Sequence, residues 1–182
     1  MEKRAAEPRF SNEKRVNSPR FPNESLLFTP IFYINKIMKR DIYKHLEEWK
    51  TLARRKPLIL NGARQVGKTY ALKHFGKTSY ENMIYLNFEK DEKLRQYFDS
   101  TLDPKQLIKI LSIHTEIDIE PLRTLIVMDE IQECPKALNS LKYFCEEANE
   151  YHVAAAGSLL GVKTTNKKDS LLEKSIFSTY IL

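Results

Sequence analysis

The chain has 182 residues, of which 42% are hydrophobic and 30% are charged, so we expect one water-soluble domain of moderate size. No apolar run reaches the roughly 18 residues that a membrane-spanning helix needs, and no membrane span is predicted. The formal net charge is +6, but the excess lies mostly in residues 1–37 and 162–182. The nearly neutral central part gives no indication of nucleic-acid binding.

Residues 1–37 hold four of the eight prolines and show no sustained hydrophobic period, which predicts a loosely ordered N-terminal extension. The opening MEKRAAEPRF is charged and lacks the apolar centre of a secretory signal, so a cytoplasmic protein is expected. From Met38 onward, apolar residues such as Ile42, Leu46 and Trp49 recur at helical spacing. We therefore predict that a folded domain begins at Met38 and extends to residue 162.

A glycine-rich loop follows the first predicted strand. The run KPLIL favours a strand, YALKHF favours a helix, and between them stands the pattern G-x-x-x-x-G-K-T. Glycines let the backbone approach a ligand closely, so successive N–H groups and the helix N-terminus converge on phosphate oxygens. The predicted nucleotide-binding residues are Gly62, Ala63, Arg64, Gln65, Val66, Gly67, Lys68, Thr69 and Tyr70.

Two residues of this loop have further predicted tasks. Lys68 adds a positive charge for the β- and γ-phosphates and is a candidate catalytic residue, and the Thr69 hydroxyl is a candidate Mg²⁺ ligand. The alternative is a glycine-containing turn that carries Lys-Thr by chance. The strand before the loop and the helix after it disfavour that alternative.

Strands and helices alternate after the loop. NMIYLNFE predicts a second strand and DEKLRQYF a short helix. Asp103 is a predicted N-cap, with Pro104 at the first position of the next helix.

An acidic pair follows the next predicted strand. The apolar run TLIVM indicates a strand buried on both faces, and Asp129 and Glu130 come directly after it. Asp129 is predicted to hold Mg²⁺, and Glu130 to orient and deprotonate the water that attacks the γ-phosphate. The alternative is that Asp-Glu merely begins the next loop.

A fourth strand, YHVAAAGS, follows the predicted helix PKALNSLKYFCEEAN and ends at Ser158. At this position a hydroxyl can contact the γ-phosphate or the attacking water, so Ser158 is a third candidate catalytic residue. It could equally be the N-cap of a helix that follows.

The stretches GARQVGKT, LIVMDEIQ and AAAGSLLG occur in this order. They resemble the Walker A, Walker B and sensor 1 elements of bacterial and archaeal AAA-family ATP-binding proteins that carry a C-terminal domain of unknown function. The resemblance covers about residues 38–162. It implies an ATPase domain in which the loop Gly62–Thr69 binds phosphates, with magnesium at Thr69 and Asp129. It also implies water activation by Glu130 and γ-phosphate sensing by Ser158.

The order of elements predicts an α/β fold, a three-layer P-loop NTPase with a mainly parallel sheet. The resemblance supplies the strand order: the Walker A strand, the sensor strand, the Walker B strand, and NMIYLNFE at the edge. Residues 163–182 depart from the family pattern, so we expect a sheet that is incomplete on its C-terminal side. SIFSTYIL is β-rich enough to fill the open edge beside the Walker A strand.

The leading hypothesis is an ATP-binding AAA-type ATPase domain that hydrolyses Mg-ATP by water attack. The alternatives are a nucleotide-binding fragment without hydrolysis and, less favoured because of the Asp129–Glu130 pair, a P-loop kinase. The resembled proteins take an arginine from beyond sensor 1, commonly from a neighbouring subunit, whereas the last arginine here is Arg123. Slow hydrolysis is therefore expected. The expected partners besides ATP are further copies in a homo-oligomer or the C-terminal domain that the resembled proteins carry and that is missing here.

Overall fold

The computed structural model describes residues 31–158 and 178–181, with side chains described for residues 41–158. The elements in chain order are α1 (Ile31–Thr51), β1 (Leu58–Gly62), α2 (Lys68–Ser79), β2 (Asn82–Asn87), α3 (Glu92–Ser100), α4 (Pro104–Thr115), β3 (Thr124–Asp129), a 3-10 turn (Ile131–Glu133), α5 (Pro135–Glu147), β4 (His152–Ser158) and β5 (Ser178–Ile181).

The described strands form one sheet in the order β2-β3-β4-β1-β5, and each neighbouring pair is parallel. This order confirms the predicted one. β5 pairs with β1 from Leu58 opposite Ser178 to Asn61 opposite Ile181, so part of SIFSTYIL fills the edge beside β1. Backbone groups of this β-rich segment therefore occupy the edge of β1 along these four residue pairs. Residues 175–177 and 182 lie outside the described part of the chain.

Two hydrophobic clusters lie on opposite faces of the sheet and make the fold three-layered. In β4, Ala154 and Ala156 face α1 and α2, whereas Val153 and Ala155 face α3, α4 and α5. Every residue of β3 is buried, as predicted for a strand covered on both faces. No helix among the described residues has the length and apolar character needed to cross a membrane.

Helix α1 begins at Ile31, seven residues before the predicted start at Met38. The helix thus includes residues 31–37 of the predicted extension, and residues 1–30 lie outside the described residues. The physical reason is that Pro30 is the last proline before this helix, and residues 31–51 contain neither proline nor glycine to interrupt it.

The caps of α3 and α4 follow from local sequence. The Asp91 side chain accepts from the backbone N–H groups of Lys93 and Leu94 at the start of α3. The Asp103 side chain accepts from the backbone N–H of Lys105, and Pro104 opens α4, as predicted.

His152 is a buried histidine at the start of β4. It lies at the amino-terminal ends of the parallel strands, away from the carboxyl end of β1 that leads into the glycine loop. The residue is 2% exposed, its Nδ1 lies 2.5 Å from the Tyr80 hydroxyl, and its ring packs edge-on against Trp49. Nε2 has no hydrogen-bond partner among the described residues. Burial, together with the charges of Arg55 and Lys50, lowers the pKa of His152 from 6.5 to about 3.

The lowered pKa of His152 leads us to expect a loss of folding stability in mild acid. The unfolded chain takes up a proton at the ordinary histidine pKa, whereas the folded chain does not until a much lower pH, so the free energy of unfolding falls as pH decreases between the two values. We expect the His152 contribution to fall by about 2 kcal/mol between about pH 6.5 and about pH 4.5. Urea unfolding of the parent and of His152→Gln across this range measures it. Parallel curves for the two proteins would contradict the prediction, and His45→Gln, on the exposed face of α1, is the control.

Candidate functional site

The candidate residues come from strand ends that meet at one edge of the sheet. Gly62 of β1 lies opposite Ser158 of β4, and Asp129 of β3 lies opposite Ala156 of the same strand. Because all these strands are parallel, their carboxyl ends share one edge, where ligands bind in open α/β sheets. The glycine loop leaves β1 at this edge and enters α2.

The glycine loop contains a backbone conformation with positive φ, which glycine adopts readily. Gly67 is the N-cap of α2 with φ of 94°, and the Ala71 N–H donates to its carbonyl oxygen. Gln65 also lies in the left-handed region, with φ of 66°, which is uncommon for a residue that has a Cβ. Both left-handed residues belong to the loop that enters α2, whose first N–H groups have no partner within the helix.

Lys68 is buried at the first position of α2. It is 8% exposed, and its Nζ donates to the carbonyl oxygens of Gly62 at 3.0 Å and Ala63 at 2.7 Å. Both acceptors are neutral, and the described residues place no carboxylate within ion-pair distance of this amine. The Lys68 amine, without a carboxylate partner among the described residues, is therefore suited to an anionic ligand.

Thr69 and Asp129 are 60 residues apart in sequence and lie in contact. The Thr69 hydroxyl is 3.0 Å from each Asp129 carboxylate oxygen, and Asp129 is 4% exposed. Tyr85 donates to Asp129 Oδ2 at 2.6 Å, and the Asn87 amide donates to the Tyr85 hydroxyl. Burial, with the hydrogen bond to Asp129 acting in the same direction, raises the pKa of Tyr85 to about 12, so this hydroxyl stays a donor at neutral pH.

Glu130 and Ser158 are connected through Gln132. The Gln132 amide Nε2 donates to Glu130 Oε2 at 2.6 Å, and its Oε1 accepts from the Ser158 backbone N–H at 3.3 Å. Ser158 is 9% exposed. Residues 159–177 lie outside the described part of the chain, so the alternative that Ser158 is a helix N-cap falls on residues that are not described.

A cavity of about 450 Å³ opens in front of the loop, within the size range of small-molecule sites. Its lining consists of Arg64, Gln65, Gly67, Lys68, Thr69, Tyr70, Glu89 and Glu130. Of the predicted nucleotide-binding residues, Gly62, Ala63 and Val66 lie outside this lining, as do Asp129 and Ser158. The cavity thus joins the basic loop to Glu130, while Asp129 lies behind Thr69.

Sequence reasoning missed Tyr85 and Gln132. A signal for Tyr85 was present, because Tyr85 and Asn87 are polar residues at alternate positions of β2, and β2 pairs with β3 so that Asn87 lies opposite Asp129. Gln132 had no such signal. Its approach to Glu130 depends on the left-handed backbone of Glu130, with φ of 52°, which no local pattern predicts.

A family model described as AAA domain matches residues 54–180 of this chain. The match extends well into residues 163–182, beyond the part that the sequence resemblance covers. No curated protein matches the sequence.

Solved structures resemble the chain at low identity. AMPPCP-bound DnaA from Aquifex aeolicus is 16% identical with a TM-score of 0.45, and the alignment covers 80% of this chain and 46% of that one. PCH-2 of C. elegans is 14% identical with a TM-score of 0.41, and the alignment covers 78% of this chain and 41% of that one. The chain spans less than half the length of either protein. Because the family model matches well over half of its residues, the chain belongs to the AAA domain family.

Proposed function

We propose that the chain binds Mg-ATP in the cavity beside the glycine loop and hydrolyses it to ADP and phosphate. The observation that carries the proposal is the contact of Thr69 with Asp129, which joins the loop to the acidic strand end. Lys68 and Glu130 line the same cavity. One edge of the sheet thereby carries a cation that can bind phosphate, oxygen atoms that can bind a metal ion, and a carboxylate that can accept a proton from water.

The donor set fits magnesium. A threonine hydroxyl and a buried carboxylate, 3.0 Å apart, are oxygen ligands of the kind that Mg²⁺ prefers. Thr69 and Asp129 would hold the ion, and Tyr85 would keep the Asp129 carboxylate in place by its hydrogen bond. When bound, magnesium neutralises charge on the β- and γ-phosphate oxygens.

The remaining tasks fall to the protein. The loop N–H groups and the end of α2 bind the phosphates, and Lys68 stabilises the negative charge that develops on them. Glu130 accepts a proton from water while the water oxygen bonds to the γ-phosphorus and the bond to the bridging oxygen of ADP breaks. Ser158 contacts the γ-phosphate from the end of β4.

One preparation of the protein tests this proposal in two measurements. Titration with a fluorescent ATP analogue, with and without Mg²⁺ and in competition with ATP, reports binding, and phosphate release over hours reports hydrolysis. Binding with release supports the proposal. Binding without release favours the nucleotide-binding module, transfer of the labelled γ-phosphate to an added acceptor favours a kinase, and absence of binding overturns the assignment of the cavity.

A further inference from the structure

Gln132 occupies a position between two parts of the candidate site. The 3-10 turn Ile131–Glu133 follows Glu130 directly, and the left-handed backbone of Glu130 (φ 52°, ψ 45°) turns the chain so that the side chains of Glu130 and Gln132 meet. The amide of Gln132 donates to the carboxylate at 2.6 Å. Its other end accepts from the Ser158 backbone N–H, 26 residues further along the chain.

The end of β4 closes around this amide. Gly157 is buried, and a Cβ at this position would lie 3.1 Å from Gln132 Oε1 and 3.4 Å from Ile131 Cγ2. The glycine thus leaves the space in which the amide reaches both partners. The Nε2 end of the Gln132 amide faces the acceptor on Glu130, and the Oε1 end faces the donor on Ser158.

We propose that Gln132 is a positioning residue that fixes the Glu130 carboxylate against the end of β4, which deepens the proposed function and rests on it. With Oε2 engaged by the amide, Oε1 of Glu130 is left to take the proton of the attacking water. A glutamine satisfies both contacts because it carries a donor and an acceptor. A glutamate of the same shape keeps the acceptor for Ser158 but presents a second negative charge to Glu130.

Two substitutions, Gln132→Ala and the shape-matched Gln132→Glu, distinguish a positioning role of Gln132 from a packing role. At saturating ATP we expect Gln132→Ala to lower the rate of phosphate release by about tenfold or more, and Gln132→Glu to lower it further, with ATP affinity within about twofold of the parent. If Gln132 only fills space, the order reverses, because glutamate preserves the volume and alanine does not. Gln96→Glu, exposed on α3, is the control and leaves the rate unchanged.

A double-variant cycle tests whether Gln132 acts through Glu130. In a Glu130→Ala background, Gln132→Ala should produce no further loss of rate, since the side chain that it positions is absent. Independent, multiplying losses would overturn the proposal.

NMR spectroscopy tests the link made by Gln132 without any measurement of hydrolysis. Failure of this inference can therefore be distinguished from failure of the proposed function. The Gln132 side-chain NH₂ resonances should shift in Glu130→Ala, and the Ser158 amide resonance should shift in Gln132→Ala. Both shifts support the link even in a protein that releases no phosphate. If neither resonance moves, Gln132 does not join the two parts of the site.

Discussion

Lys68→Ala is expected to lower the affinity of the chain for ATP by about tenfold to a hundredfold, because it removes a charge-assisted hydrogen bond to phosphate. The amine is nearly enclosed by the loop and has only neutral carbonyl partners among the described residues, Gly62 and Ala63. No other described cation is buried in the cavity lining, where Arg64 is exposed. The charge therefore cannot be replaced from within the described part of the site.

The measurement is a titration with a fluorescent ATP analogue, paired with thermal unfolding of the same samples. The variant also loses two hydrogen bonds inside the loop, but alanine is favourable in the first turn of α2, so the fold should persist. Lys77→Ala, in the last turn of the same helix and exposed, is the matched control. A Lys68→Ala protein that binds ATP as tightly as the parent would show that the loop is not the site.

Glu130→Gln is expected to preserve ATP and Mg²⁺ binding and to slow hydrolysis by about a hundredfold to ten-thousandfold, because an amide orients water but does not accept its proton. The amide oxygen of the variant still accepts from Gln132, so the side chain should keep its position. Phosphate release measured beside nucleotide binding separates the two effects. Glu133→Gln, exposed three residues later, is the control.

Two results would contradict this role of Glu130. Equal rates for Glu130→Gln and the parent would show that another group accepts the proton or that the released phosphate comes from a contaminant. Loss of nucleotide binding in Glu130→Gln would show that the carboxylate serves binding rather than the attack of water.

Asp129→Asn is expected to weaken the binding of Mg²⁺ instead. Thr69 and Tyr85 both donate to the Asp129 carboxylate, and an asparagine retains only one oxygen to accept them. The charge that attracts Mg²⁺ is lost as well. We therefore expect the Mg²⁺ concentration needed for half-maximal ATP binding to rise in Asp129→Asn and to stay unchanged in Glu130→Gln. An equal shift in both variants would contradict the separate roles of the two carboxylates.

The sequence by itself determined the local features of this protein. The spacing from Gly62 to Thr69 predicts the loop, and the uninterrupted apolar run before Asp129 predicts a strand that the structure buries on both faces. The N-cap at Asp103 was readable in the same way. Each of these depends on residues that are neighbours in the chain, so that backbone preference and hydrophobic period suffice to predict it.

Only the tertiary structure decided which distant groups meet. The hydrogen bonds of Thr69 and Tyr85 to Asp129 and the register of β5 against β1 depend on the assembled sheet. The link from Glu130 through Gln132 to the end of β4 requires, in addition, a left-handed backbone at Glu130. Hydrophobic periodicity specifies which face of a strand is buried, but it does not specify which strand lies beside it or how an irregular turn aims a side chain.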